Sequence, residues 1–169
     1  MAGDKYIHNN AGVLTEKAAL QSSAGAGDAG KIPALDAAGR LDTSMMPVGI
    51  GADTASVVTS ENLASGDLVN IWNDAGTGKA RKADATTAGK EAHGFVLAAV
   101  TAPAAATVYF EGTNTAVTGL TPGPQFLATT AGLPTATAPS AAGNVVQRVG
   151  VAVSATALNF EAQQPIVLA

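Results

Sequence analysis

Three features of the 169-residue sequence predict an all-β protein, a compact β-sandwich or β-barrel with an extended N-terminal arm. From about position 55 onward, short runs of β-branched and aromatic residues alternate with Gly, Pro, Asn and Asp at close spacing, which is the pattern of short strands and tight turns. The 47% hydrophobic content includes 37 alanines, and aromatics make up only 4%, so the core is thin and fits one domain better than two large lobes. Residues 1–52 have no long periodic apolar run and can bury little by themselves. The expected organisation is therefore an arm over 1–52 and a sandwich or barrel over 53–169.

Within the arm, 15–21 could form two helical turns with Thr15 as cap, although so short a helix depends on packing. Gly25-Ala26-Gly27-Asp28-Ala29-Gly30 reads as linker. Asp36-Ala37-Ala38-Gly39 reads as a tight reversal, because Asp can open a type I turn and Gly can take the left-handed position that closes it. In the domain, strands are expected at 55–59, 67–72, 79–83, 92–100, 106–111, 125–128, 145–153, 157–161 and 165–168. Alternation is clearest at Val69 and Ile71 against Asn70 and Trp72, and at Val149, Val151 and Val153 against Gly150, Ala152 and Ser154. Reversals are expected at Asn73-Asp74-Ala75-Gly76, Ala88-Gly89, Thr121-Pro122-Gly123-Pro124 and Ala131-Gly132, and a self-contained turn at 61–67 leads into the strand at 67–72.

Charge and residue types narrow the function classes. A net charge of −4, with nine Lys and Arg spread along the chain, does not make a phosphate-binding surface, so no nucleic-acid partner is expected. Lys79, Arg81 and Lys82 form the one local basic cluster and read as a solvated hairpin. The start Met1-Ala2-Gly3-Asp4-Lys5 lacks the basic-then-apolar order of a signal peptide. The uncharged stretch 94–110 contains Pro103 and is shorter than a membrane helix requires, so no membrane partner is expected. With no cysteine there are no disulfides, thiolate metal sites or Cys nucleophiles.

The chemical motifs point away from catalysis. Gly25 to Gly30 has the G-x-G-x-x-G spacing, but no strand precedes it and Lys31-Ile32-Pro33 does not open a helix, so the dinucleotide context is missing. Gly76-Thr77-Gly78-Lys79 has Asn73 where a phosphate loop needs its first Gly, and Ala80 where magnesium needs a hydroxyl. His8 and His93 are the two histidines, too few for a histidine zinc site. His93 beside Glu91 could serve as a base, but at a strand position it reads as structural or interfacial. Asp67, Asp74 and Asp84 occupy turn positions and do not form a calcium loop. No enzyme activity, cofactor or metal is expected.

The run from Gly25 through Asp42, continuing through Met45-Met46-Pro47-Val48-Gly49-Ile50-Gly51-Ala52-Asp53, resembles the amino-terminal part of tailed-bacteriophage virion proteins. Leu63-Ala64-Ser65-Gly66-Asp67-Leu68-Val69-Asn70-Ile71-Trp72, together with the stretch from Lys82-Ala83-Asp84 to His93-Gly94-Phe95-Val96, resembles the β-domain of phage capsid decoration, or cement, proteins. This resemblance implies a non-enzymatic protein, made in the host cytoplasm, that binds the outside of an assembled head. Its partners would be the major capsid protein and itself, as a homotrimer at threefold or quasi-threefold positions. The competing class is a head fibre or adhesin that recognises a host surface. Because the arm carries few charges, the expected capsid contacts are backbone hydrogen bonds and the apolar residues Val13, Leu14, Ile32, Leu35, Leu41, Met45 and Met46.

Overall fold

The computed structural model describes residues 5–46 and 51–169. Asp4 of the amino-terminal charge pair, and residues 47–50 of the stretch that carries the resemblance, lie outside them. The chain divides into two compact units, Met1–Gly51 and Ala52–Ala169.

The first unit begins with an antiparallel hairpin of β1 (Lys5–Asn10) and β2 (Val13–Ala18), in which Lys5 faces Ala18 and Asn10 faces Val13. A two-residue turn joins them, with Ala11 at φ 50° and Gly12 at φ 91°, the left-handed pair of a type I′ turn. The Asn9 side chain accepts the Gly12 amide at 2.8 Å. Residues 15–18, expected to be helical, are therefore strand. Thr15, Glu16 and Lys17 pair across to β1, and this ladder replaces the local hydrogen bonds of a helix too short to persist alone. After the hairpin the chain runs through loops with short 3-10 turns at Ala26–Asp28 and Thr43–Met45.

Among the described residues, the regular secondary structure of the second unit is all strand. Its first sheet comprises β3 (Thr54–Val58), β4 (Leu68–Asp74), β5 (Thr77–Lys82), β6 (Gly94–Val96) and β7 (Ala105–Tyr109), in the antiparallel order β3-β7-β6-β4-β5. Its second sheet comprises β8 (Gly112–Asn114), β9 (Gly123–Leu127), β10 (Pro134–Thr135), β12 (Arg148–Ser154) and β13 (Ala157–Phe160), in the order β10-β9-β12-β13-β8. A separate pair joins β11 (Val145–Val146) to β14 (Ile166–Val167). Each large sheet is drawn from one continuous stretch of chain.

Alternation sorts the first sheet's side chains onto two faces. Leu68, Phe95 and Tyr109 point toward the second sheet and meet Leu127, Val149, Leu158 and Phe160 in a shared core, the packing of a β-sandwich. Phe95 spans the two sheets, with its ring 5.3 Å from Tyr109 and 5.5 Å from Phe160. The opposite face carries Val69, Ala80, Val96, Ala106 and Val108, capped by Leu63. That face is buried because the sheet curls. The Ser60 amide donates to the Ala80 carbonyl at 2.9 Å, and an isolated parallel bridge from Thr59 to Ala80 brings the two edges together at one end without closing a barrel.

The expected strands are present, with changes at their ends. The run 92–100 contracts to β6, and Val100 instead exchanges two backbone hydrogen bonds of 2.9 Å with Leu63. The run 145–153 is broken at Gln147, where the chain passes from β11 to β12. Gly123 and Pro124, expected to be turn, open β9.

Candidate interaction surface

The described part of the first unit buries one apolar side chain, Ala34, and is otherwise organised by polar groups acting on the backbone. The Leu20 amide donates to the Ile32 carbonyl at 3.0 Å, and the Ala34 amide donates to the Leu20 carbonyl at 2.7 Å, closing a loop. Inside that loop Asp28 accepts the Ala24 amide at 2.6 Å and pairs with Lys31 at 2.6 Å. The Lys31 hydrogen bond, followed by that of the Ala24 amide, holds the Asp28 carboxyl below the usual carboxylate range. Asp36 accepts the amides of Ala38 and Arg40 at 2.8 and 2.9 Å, and Gly39 takes φ 74°, so the tight reversal expected at 36–39 is present. Asp42 accepts the Ser44 hydroxyl at 2.6 Å and its amide at 2.9 Å, the two bonds that lower its pKa, while the Ser44 oxygen accepts the Ser23 amide at 2.8 Å.

Because short polar side chains fix these loops, the larger apolar ones are left outside. Val13, Leu14, Ile32, Leu35, Leu41 and Met46 are 38 to 70% exposed. Met45 is half-buried and, with Leu20, Pro33 and Met46, forms the apolar wall of a cleft of about 460 Å³ rimmed by Asp28 and Lys31. Val13 and Leu14 are adjacent in β2 and project from opposite faces of the hairpin. Leu14 shares its face with Ile7, which is equally exposed and was not singled out from the sequence. The turn signal Asn9-Asn10-Ala11-Gly12, which repeats the pattern of Asn73-Asp74-Ala75-Gly76, could have revealed the hairpin and Ile7 with it.

In the second unit the groups considered for chemistry are engaged in holding structure. His93 accepts the Ile71 amide on Nδ1 at 3.0 Å, and Glu91 accepts the Gly89 amide at 2.9 Å. Lys79, Arg81 and Lys82, expected to be solvated, are half-buried. Lys79 pairs with Asp74 at 2.5 Å and Lys82 lies 3.4 Å from the buried carboxylate of Asp67. Arg81 lies over the Trp72 ring at 4.8 Å and donates to Asn70 Oδ1 and the Gly89 carbonyl. The cluster thus braces β4, β5 and the 84–92 loop. Asp84 is buried, which by itself would raise its pKa, but the Thr86 hydroxyl and amide and Lys90 at 3.0 Å outweigh burial and lower it. Among the described residues no three His, Asp or Glu side chains converge on a metal position.

Comparison with known proteins finds no matching family model, no matching curated protein and no matching solved structure.

Proposed function

We propose that this chain is a structural virion protein that binds the outer surface of a phage head and stabilises it, acting as a homotrimer at threefold or quasi-threefold positions. The observation that carries this reading is the first unit's surface: apolar side chains stand outside loops whose polar groups are already hydrogen-bonded. Covering such side chains gains about 1 kcal/mol each when roughly half of a side chain's transfer free energy is still to be realised. Several acting together exceed the entropic cost of association only when partners are pre-ordered, as on an assembled shell. The resemblance of residues 25–53, 63–72 and 82–96 to phage virion proteins supports the same reading.

Binding to the intact shell alone stabilises it by mass action, by about 2.7 kcal/mol per site at a hundredfold excess of free protein over Kd. The test is to mix purified chain with immature and expanded heads, then challenge the heads with heat. Binding to expanded heads with improved survival is expected, and deletion of residues 1–52 should abolish it. Equal survival with and without the protein would remove the stabilising role and favour the host-surface adhesin.

A further inference from the structure

We infer that the β1–β2 hairpin joins copies of this chain edge to edge, β2 of one copy pairing with β1 of the next, so that cyclic copies share one continuous antiparallel sheet. For the number of copies alone this rests on the trimer proposed above, which would give six strands.

The hairpin is a two-stranded sheet, and neither of its strands pairs with a third among the described residues. An isolated two-stranded hairpin is marginal in water and gains independent stability from a third strand, while its unpaired N–H and C=O rows are a template for one. The strands run antiparallel, so copies arranged around a rotation axis place β2 of one beside β1 of the next in antiparallel orientation. Charge selects this arrangement over pairing of like edges. Lys5 in β1 and Glu16 in β2 lie on the same face, form an ion pair within the hairpin and remain more than half exposed. Continuing the hairpin's own register into a neighbour sets Glu16 across from the neighbour's Ile7 and diagonal to its Lys5, as within the hairpin, and keeps all six residues of each strand paired. A β1–β1 contact between copies brings together strands whose basic side chains are Lys5 and His8 and which hold no Asp or Glu, so nothing acidic opposes Lys5. A β2–β2 contact can oppose Glu16 to Lys17 only in a register that leaves Val13 and Leu14 unpaired. Closing the ring turns one face of each hairpin toward the axis and leaves the other, with Ile7 and Leu14 or with Val13, free to meet a shell.

The test uses the full chain in solution, without heads, with sedimentation velocity over a concentration series at low salt. Lys5→Glu and Glu16→Lys should each raise the concentration for half-assembly about tenfold, since each replaces an attraction by a like-charge contact. The decisive sample is an equimolar mixture of the two variants. Each variant lacks its internal ion pair, so only contacts between copies can restore complementarity, and the mixture should recover at least about threefold of that loss. Salt near 1 M should narrow the gap between variants and wild type, because exposed pairs are screened. A wild-type chain that stays monomeric at high micromolar concentration overturns the inference. So does a wild-type oligomer that neither charge reversal weakens, or a mixture no better than its components. The last two outcomes leave a trimer standing, while failure to decorate heads removes the proposed function and leaves the hairpin contact intact.

Discussion

Replacing Gln147 with Leu should destabilise the second unit by about 2–5 kcal/mol, because two buried backbone groups lose their partners at once. Gln147 lies where β11 passes into β12 and is only 3% exposed. Its Oε1 accepts the Ala92 amide at 2.7 Å and its Nε2 donates to the Ala92 carbonyl at 2.9 Å, so one side-chain amide acts as a strand partner for Ala92, itself 1% exposed. A third bond, to the Gln163 carbonyl at 3.3 Å, reaches an exposed residue that water can serve, so its loss adds little. Leucine is close to glutamine in size, so the loss reflects stranded polar groups more than a cavity. Urea unfolding followed by circular dichroism reads the change as a lower midpoint at unchanged slope. Gln147→Glu sharpens the test: ionised, it opposes an oxygen to the Ala92 carbonyl, whereas protonated it can donate there, so its deficit should shrink on acidification relative to wild type. A loss below about 1 kcal/mol for the leucine variant would refute the account, since Ala92 would then be satisfied without Gln147.

Gly150→Ala should cost about 3 kcal/mol or more, because the new Cβ would lie 2.0 Å from the Asn159 carbonyl oxygen at φ 141° and force β12 from β13; a thermal midpoint within a degree or two of wild type would contradict this. Asp84 has a folded-state pKa below its ordinary 3.8, so its contribution is complete above that value and is lost as pH falls through the lower folded one. Asp84→Asn should therefore be less stable than wild type at pH 7, with the gap closing below about pH 4 in acid-unfolding curves. Ala75→Asn should stabilise by about 0.5–1 kcal/mol, since Ala75 holds φ 51° in the turn before β5 and Asn tolerates that conformation better; chemical unfolding would show a raised midpoint.

The second unit's strands were legible in the sequence because Val, Ile, Phe and Tyr alternate there between turn residues, as at Val69 and Ile71. What could not be read was pairing with distant partners. Gly112–Asn114 carries little β propensity and is strand because it aligns with Leu158, Asn159 and Phe160. Pro134–Thr135 is strand because it borders Leu127 and Phe126. The stretch 15–21 carries helix formers, Glu16, Lys17 and Ala18 among them, and the hairpin ladder overrides that preference. In the candidate surface, exposure of Val13, Leu14, Ile32, Leu35, Leu41 and Met46 follows from the lack of an apolar period in the arm. The pairing of Lys79 and Lys82 with Asp74 and Asp67 depends on strand register and on a carboxylate from the turn before β4.

The division of the two sheets along the chain bears on how the protein is made. Emerging from a ribosome amino terminus first, residues 54–109 can complete every ladder of the first sheet while the second is still untranslated. At that stage Leu68, Phe95 and Tyr109 form a hydrophobic face with nothing over it, and their cover arrives only as Leu127, Val149, Leu158 and finally Phe160 are added. A nascent chain halted shortly after Tyr109 would be a hydrogen-bonded sheet with one wet oily side, the form of this protein most in need of a chaperone.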